Sequence, residues 1–171
     1  MQHNLKLIDG FDQNQFFNID PMTLNEAEQG SVIRMALDIL KMRHWPGEAL
    51  TSPAQTVEYL QCLLAGEKNE KLGVIFLDNR NQIIGTEILF TGTVDGCSVY
   101  PRNVVARSLE VNASAMCLFH NHPSGVVEPS QADRHITERL RKALALVDIR
   151  VLDHMIVGSS ASYSFAEHGL I

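Results

Sequence analysis

The chain is poor in the features that would set it apart from ordinary globular proteins. No apolar run approaches the roughly 20 residues a membrane-spanning helix needs. Cysteine is scarce: Cys62, Cys97 and Cys117 are odd in number, far apart and free of C-x-x-C pairing. That excludes a disulfide framework and reads as reduced thiols in a cytoplasmic protein. Positive charge is in the minority, with 14 Lys and Arg against 20 Asp and Glu and a formal net charge of −6. Such a balance argues against strong non-specific binding to nucleic acid, while leaving room for a local basic patch. The first residues, "MQHNLKLIDGFDQNQFFNID", have neither a basic start nor an apolar core, so no secretory signal is read there. What is present is 45% hydrophobic and 20% charged sequence over 171 residues. This is enough for one buried core, and it excludes a disordered chain or a coiled coil.

Read in order, the pattern changes once. Residues 1–22 lack periodicity. A helix is predicted from about Thr23 to Arg43, with Thr23 and Glu26 as a capping box and Val32, Ile33, Ala36, Ile39 and Leu40 at helical spacing. Trp45-Pro46-Gly47 stops it. A second helix fits "SPAQTVEYLQCLLAG", with Ser52 as cap, Pro53 at its first position and Gly66 beyond its end. Then "LGVIFLD" (72–78) and "QIIGTEILFTGT" (82–93) read as a hairpin around the turn "DNRN". A helix over 101–113, a strand over 114–119, a helix from about Ser130 to Val147, and strands at 149–158 and 162–165 complete the chain. The expectation is a leader and helix over 1–50 and one α/β domain over 51–171, a mixed sheet flanked by helices. The apolar face of the first helix (Val32, Ile33, Ile39, Leu40) is expected either to pack on the domain or to form a homodimer contact.

One stretch carries chemistry: "HNHPSGVVEPSQAD", His120 to Asp133. Residues two apart on a strand point the same way, so a strand running into His120 puts both His120 and His122 on one side. A Pro-Ser-Gly turn reverses the chain, Ser130 opens the next helix, and Asp133 in its first turn can swing back toward the strand end. Two imidazoles and a carboxylate make three protein ligands for Zn2+ with a fourth position for water, the pattern of catalytic zinc. A general base outside the ligand set is also needed. Glu87, an acid in the apolar strand "GTEILF", is the candidate, and Ser130 the candidate donor to an oxyanion. Taken singly, Ser130-x-x-Asp133 is a helix cap, H-x-H a weak metal signal and Glu87 an edge-strand residue. Together, in one order, they favour a metal site.

The order Glu…H-x-H-x7-S-x2-D resembles the JAMM metalloprotease motif. Stretches such as "LFTGTVDGCSVYPRNVVARSLEVNASA" and "HNHPSGVVEPSQADRHITERL" resemble the RadC-like bacterial branch of JAB/MPN domains over about residues 55–171. The resemblance implies the cytidine-deaminase-like α/β sandwich of JAMM domains. It also implies His120, His122 and Asp133 as zinc ligands, Glu87 as base and Ser130 as oxyanion partner. No P-C-x-x-C follows, which argues against deamination itself. Longer RadC-like proteins carry a helix-hairpin-helix-like domain; the leader here has no G-x-G hairpin, so the similarity is to the short, prophage type.

Other residues take quieter readings. Asp153 and His154 face opposite sides of a late strand and are expected to serve sheet packing rather than the metal site. Ser124 belongs to the turn. Cys117 points away from His120 into the core. His135 is expected to face away from Asp133, and Arg134, Arg139, Arg141 and Lys142 to form a solvated basic face. Arg102 is placed at the start of a helix that could approach the site. Two functions follow: a zinc-dependent hydrolase of peptide or isopeptide bonds with an unknown protein substrate, or a DNA-repair accessory that uses the fold as a binding module. A metal-dependent nuclease is weaker, since phosphodiester sites favour several carboxylates over a histidine pair.

Overall fold

The computed structural model describes residues 20–43, 53–92 and 98–171. The Ser52 cap, the Trp45-Pro46-Gly47 stop and Cys97 lie outside them. The chain divides into two units, residues 1–36 and 37–171. In the first, a 3-10 turn (Pro21–Thr23) precedes α1 (Glu26–Arg43). The capping box is not Thr23 with Glu26. Asn25 Oδ1 accepts from Ala27 N and Glu28 N, while Asn25 N donates to Glu28 Oε2. Thr23 instead donates its hydroxyl to the Asp20 carbonyl within the 3-10 turn. The box is therefore the same device two residues on, where a side-chain amide meets the orphan N–H groups of the first turn. Val32 and Ile33 are exposed.

The second unit is built on a five-stranded sheet. After α2 (Pro53–Leu63) come β1 (Lys71–Leu77), β2 (Ile83–Thr91), α3 (Pro101–Glu110), β3 (Ala115–Asn121), α4 (Gln131–Ala145), β4 (Arg150–Val157) and β5 (Ser162–Ser164). The strands lie in the order β2-β1-β3-β4-β5. Among the described residues only β3 and β4 run parallel, joined by the α4 crossover. This is the mixed α/β sheet expected from the sequence, and it is consistent with a JAB-like fold. The β1–β2 turn is held by Asp78, whose Oδ1 accepts from Arg80 N and Gln82 N at 2.8 Å each.

Burial on both faces explains why β1 and β3 are continuous apolar runs rather than alternating ones. Ile75, Cys117, Phe119, Met155 and Val157 pack with Tyr59 and Leu60 of α2 and with Leu64 just past its end. Val74, Phe76, Met116 and Leu118 pack with Val104 of α3 and Leu140 and Leu144 of α4. Gly73 lies opposite Phe119, and a side chain there would overlap the Phe119 ring and approach the Glu87 carbonyl at 2.7 Å.

Two boundaries move in a way that matters. The strand read as ending at Phe119 continues through Asn121, so His120 is a strand residue paired with Leu72 and Ile156. The helix read over 101–113 ends at Glu110, because Asn112 turns the chain at φ 56° into β3.

Candidate metal centre

Strand parity places His120 on the α4 side of the sheet, above Leu118 and Met116. Its ring is 1% exposed, and its partners can be assigned from chemistry. Thr137 Oγ1 lies 2.5 Å from the carbonyl of Asp133, one turn earlier on α4. A carbonyl can only accept, so the hydroxyl proton points there. Thr137 Oγ1 therefore accepts from His154 Nδ1 at 2.6 Å. Burial, followed by the nearby charge of His120, holds His154 well below the usual histidine range. The ring is neutral and carries one proton, on Nδ1. Its Nε2 must then accept from His120 Nδ1, 2.8 Å away. In neutral His120 this leaves the Nε2 lone pair facing outward from the core.

His122 is fixed by the loop. Its Nδ1 donates to the Val126 carbonyl, across a turn in which Gly125 N donates to the His122 carbonyl at 2.9 Å. Gly125 takes φ 79°, which is why glycine follows Pro-Ser here. The Nε2 atoms of His120 and His122 end 2.9 Å apart.

Asp133 completes the set. Ser130 caps α4: its Oγ accepts from Asp133 N at 3.1 Å and donates to Asp133 Oδ2 at 2.6 Å, and Ser130 N donates to the same oxygen at 2.7 Å. With Oδ2 held by two donors, Oδ1 faces His120 Nε2 at 3.3 Å, and Oδ2 lies 3.6 Å from His122 Nε2. Burial alone would raise the Asp133 carboxyl, but hydrogen bonds with both histidines hold it well below the usual carboxylate range. Asp133 in turn pushes His122 up against the effect of burial.

A fourth group joins them, and it is not Glu87. Glu70, just before β1, offers a carboxylate oxygen within 4.8 Å of ligand atoms of His120, His122 and Asp133. Glu87 lies opposite Val74, three residues along β2 from Phe90, the position level with His120. Arg107 of α3 holds both its oxygens, at 2.9 and 2.6 Å. That pairing, more than burial, sets the Glu87 carboxyl below its ordinary value. The base expected at Glu87 is therefore not brought to the centre. Glu70 is the acid that is.

Residues 50–170 match the RadC-like JAB domain family. The chain belongs to that family. A UPF0758 protein of Vibrio parahaemolyticus is 59% identical over 125 residues, 73% of this chain and 56% of the relative. A UPF0758 protein of Vibrio cholerae is 54% identical over 143 residues, 84% of this chain and 90% of that relative. The chain spans 56% of the length of the first of these. Among the described residues no helix is long and apolar enough to cross a membrane.

The donor set of this RadC-like JAB domain fits a small divalent cation. With both imidazoles neutral, two Nε2 lone pairs converge with the Asp133 and Glu70 carboxylates, an arrangement that a proton or a cation relieves. In a tetrahedral site with bonds of about 2.0–2.2 Å, neighbouring donors lie about 3.3–3.6 Å apart. The 3.3 Å from His120 Nε2 to Asp133 Oδ1 has that spacing, the 3.6 Å from His122 Nε2 is to the other oxygen, Oδ2, and the two Nε2 atoms, 2.9 Å apart, stand closer than it.

The same geometry corrects one quieter expectation and extends another. His154 does not merely pack; it orients His120, as outer-shell partners of metal-binding histidines do. Asp153 does turn to the other face, where it accepts from Ser164 Oγ and Ala166 N. His135 and Arg139 are exposed, as a solvated face requires, and both also line the cavity of about 490 Å³ that holds His120, His122, Ser130 and Asp133. Cys117 is a buried core thiol, as read, with burial and the Asp153 charge pushing it up to about 12. Arg102 is exposed and is not part of that cavity's lining. A signal for Glu70 existed, since an acid directly before an apolar strand sits at the same sheet end as its antiparallel neighbour's C-terminus.

Proposed function

We propose that this chain is a zinc-dependent hydrolase of peptide or isopeptide bonds, with His120, His122 and Asp133 as ligands and Glu70, rather than Glu87, as general base. The observation that carries the reading is the convergence of two lone-pair-bearing Nε2 atoms, each forced into that tautomer by a partner on its Nδ1, with the Asp133 and Glu70 carboxylates. A zinc ion held by these groups would supply Lewis acidity and bring the pKa of a bound water to roughly 7.

The chain's own residues would do the rest. Glu70, half-buried beside the histidines, accepts the proton of the attacking water and hands it to the departing amine. Ser130 lines the same cavity. Its hydroxyl, rotated off Asp133 Oδ2, would donate to the oxyanion while Ser130 N keeps that carboxylate in place. A second cavity of about 540 Å³ shares His122 and Pro123 with the first. Polypeptide can thus be accommodated on both sides of the scissile amide. The His120–His154–Thr137 chain holds one ligand ring still during this exchange.

Elemental analysis of the purified protein tests the reading, beside His122→Ala and Glu70→Gln, followed by a panel of peptides and isopeptides. Near one zinc per chain, lost in His122→Ala but retained in Glu70→Gln with hydrolysis abolished, is expected. Absence of zinc, with no gain in thermal stability on adding it, would overturn the proposal and leave a binding module.

A further inference from the structure

Helix α4 presents more to the cavity than Asp133. Ala132, His135, Ile136 and Arg139 also line it, and their spacing is that of one helical face. Arg107, Arg141 and Lys142 are engaged elsewhere. Glu138 holds Arg141 at 3.3 Å and Lys142 at 3.2 Å, while Glu87 and Glu110 hold Arg107. Arg139 makes no ion pair among the described residues.

The acidic groups of the cavity wall are Glu70 and Asp133, and both belong to the donor cluster. A divalent ion in that cluster balances their two charges. Arg139, exposed and lining the same cavity, is then an unmatched positive charge beside the apolar side chains of Leu72, Val99 and Ile136.

We propose that Arg139, with His135 one turn before it, forms an anion subsite that recognises a carboxylate on the substrate residue adjoining the cleaved amide. The inference rests on the hydrolase reading above. A guanidinium offers a planar fork that fits a carboxylate with two parallel hydrogen bonds. The carboxylate is either an acidic side chain or a free chain terminus, and the two are separable by experiment.

Three probes share one metal-binding head: succinyl-hydroxamates of glutamine amide, of glutamate amide, and of glutamine with a free terminus. Their affinities for the zinc-loaded protein are measured by calorimetry. At least one acidic probe should bind about tenfold tighter than the neutral one, the scale of a charge-assisted hydrogen bond. Which acidic probe gains identifies the source of the carboxylate. The preference should fall to near parity in Arg139→Gln and survive in part in Arg139→Lys. Equal binding of all three probes to the native protein, or a preference that persists in Arg139→Gln, overturns the subsite and leaves the metal centre standing. Failure of every probe to bind, with His122→Ala indistinguishable from native, overturns the centre and the subsite together.

Discussion

Glu70 and Glu87 are both half-buried acids near the β1–β2 half of the sheet, and the fold treats them oppositely. Glu87 is given its own cation: Arg107 reaches it from α3 with two hydrogen bonds and also holds Glu110. Glu70 is placed among three other groups that bear lone pairs or negative charge. An acid with a fixed guanidinium is neutralised by the protein itself and has little proton affinity left. An acid among acceptors is stable only with a proton or a cation beside it. The first arrangement ties a helix to a strand. The second is a demand for a ligand.

The largest expected effect separates the two directly. Glu70→Gln should cut hydrolysis by about 10²–10⁴-fold, the usual contribution of a general base, with zinc content unchanged. Glu87→Gln should leave the rate within about threefold, because its carboxylate does not reach the centre. Steady-state rates on the best substrate of the panel decide it, and equal losses would break the comparison.

Next in size is the hydrogen-bond chain behind the centre. Thr137→Val keeps the shape and removes the hydroxyl that fixes the His154 tautomer. Zinc affinity, measured by competition with a chelator, should fall about 10–100-fold, as for other outer-shell partners. Thr137→Ser should restore most of it. Unchanged affinity in Thr137→Val would mean that His120 needs no orientation from behind.

The smallest effect belongs to the Glu87–Arg107 pair, which is about one third exposed on each side. The folded-state pKa of Glu87 is lowered, so its contribution to stability is present above the unfolded pKa and lost as pH falls through the folded one. Glu87→Gln should therefore lower Tm by about 2 °C or less at pH 7, and the gap to native should close in strong acid. A gap that widens on acidification would reverse the sign and the assignment of the pair.

What could be read early was what is local. H-x-H at the end of an apolar run gives two imidazoles on one side by parity alone. S-x-x-D at a helix start is a cap whether or not it also ligates, and here the cap turns Asp133 Oδ1 toward His120. The misreadings share one cause, which is distance along the chain. His154 sat on the right face but looked like packing until β4 was laid parallel to β3, opposite Leu118. His135 and Arg139 are exposed as read, but their helical spacing from Asp133 gives no information about which loops bound the cavity they line.

The sequence by itself determined the element order, the mixed α/β class and three of the four converging donors, because strand parity and helix caps act over a few residues. Tertiary structure alone decided which glutamate joins them. Antiparallel pairing of β1 with β3 sets Leu72 opposite His120 and so carries Glu70 to the histidines, whereas α3 delivers Arg107 to Glu87. Both placements depend on strand register and helix packing over tens of residues, where no local pattern of side chains distinguishes one acid from the other.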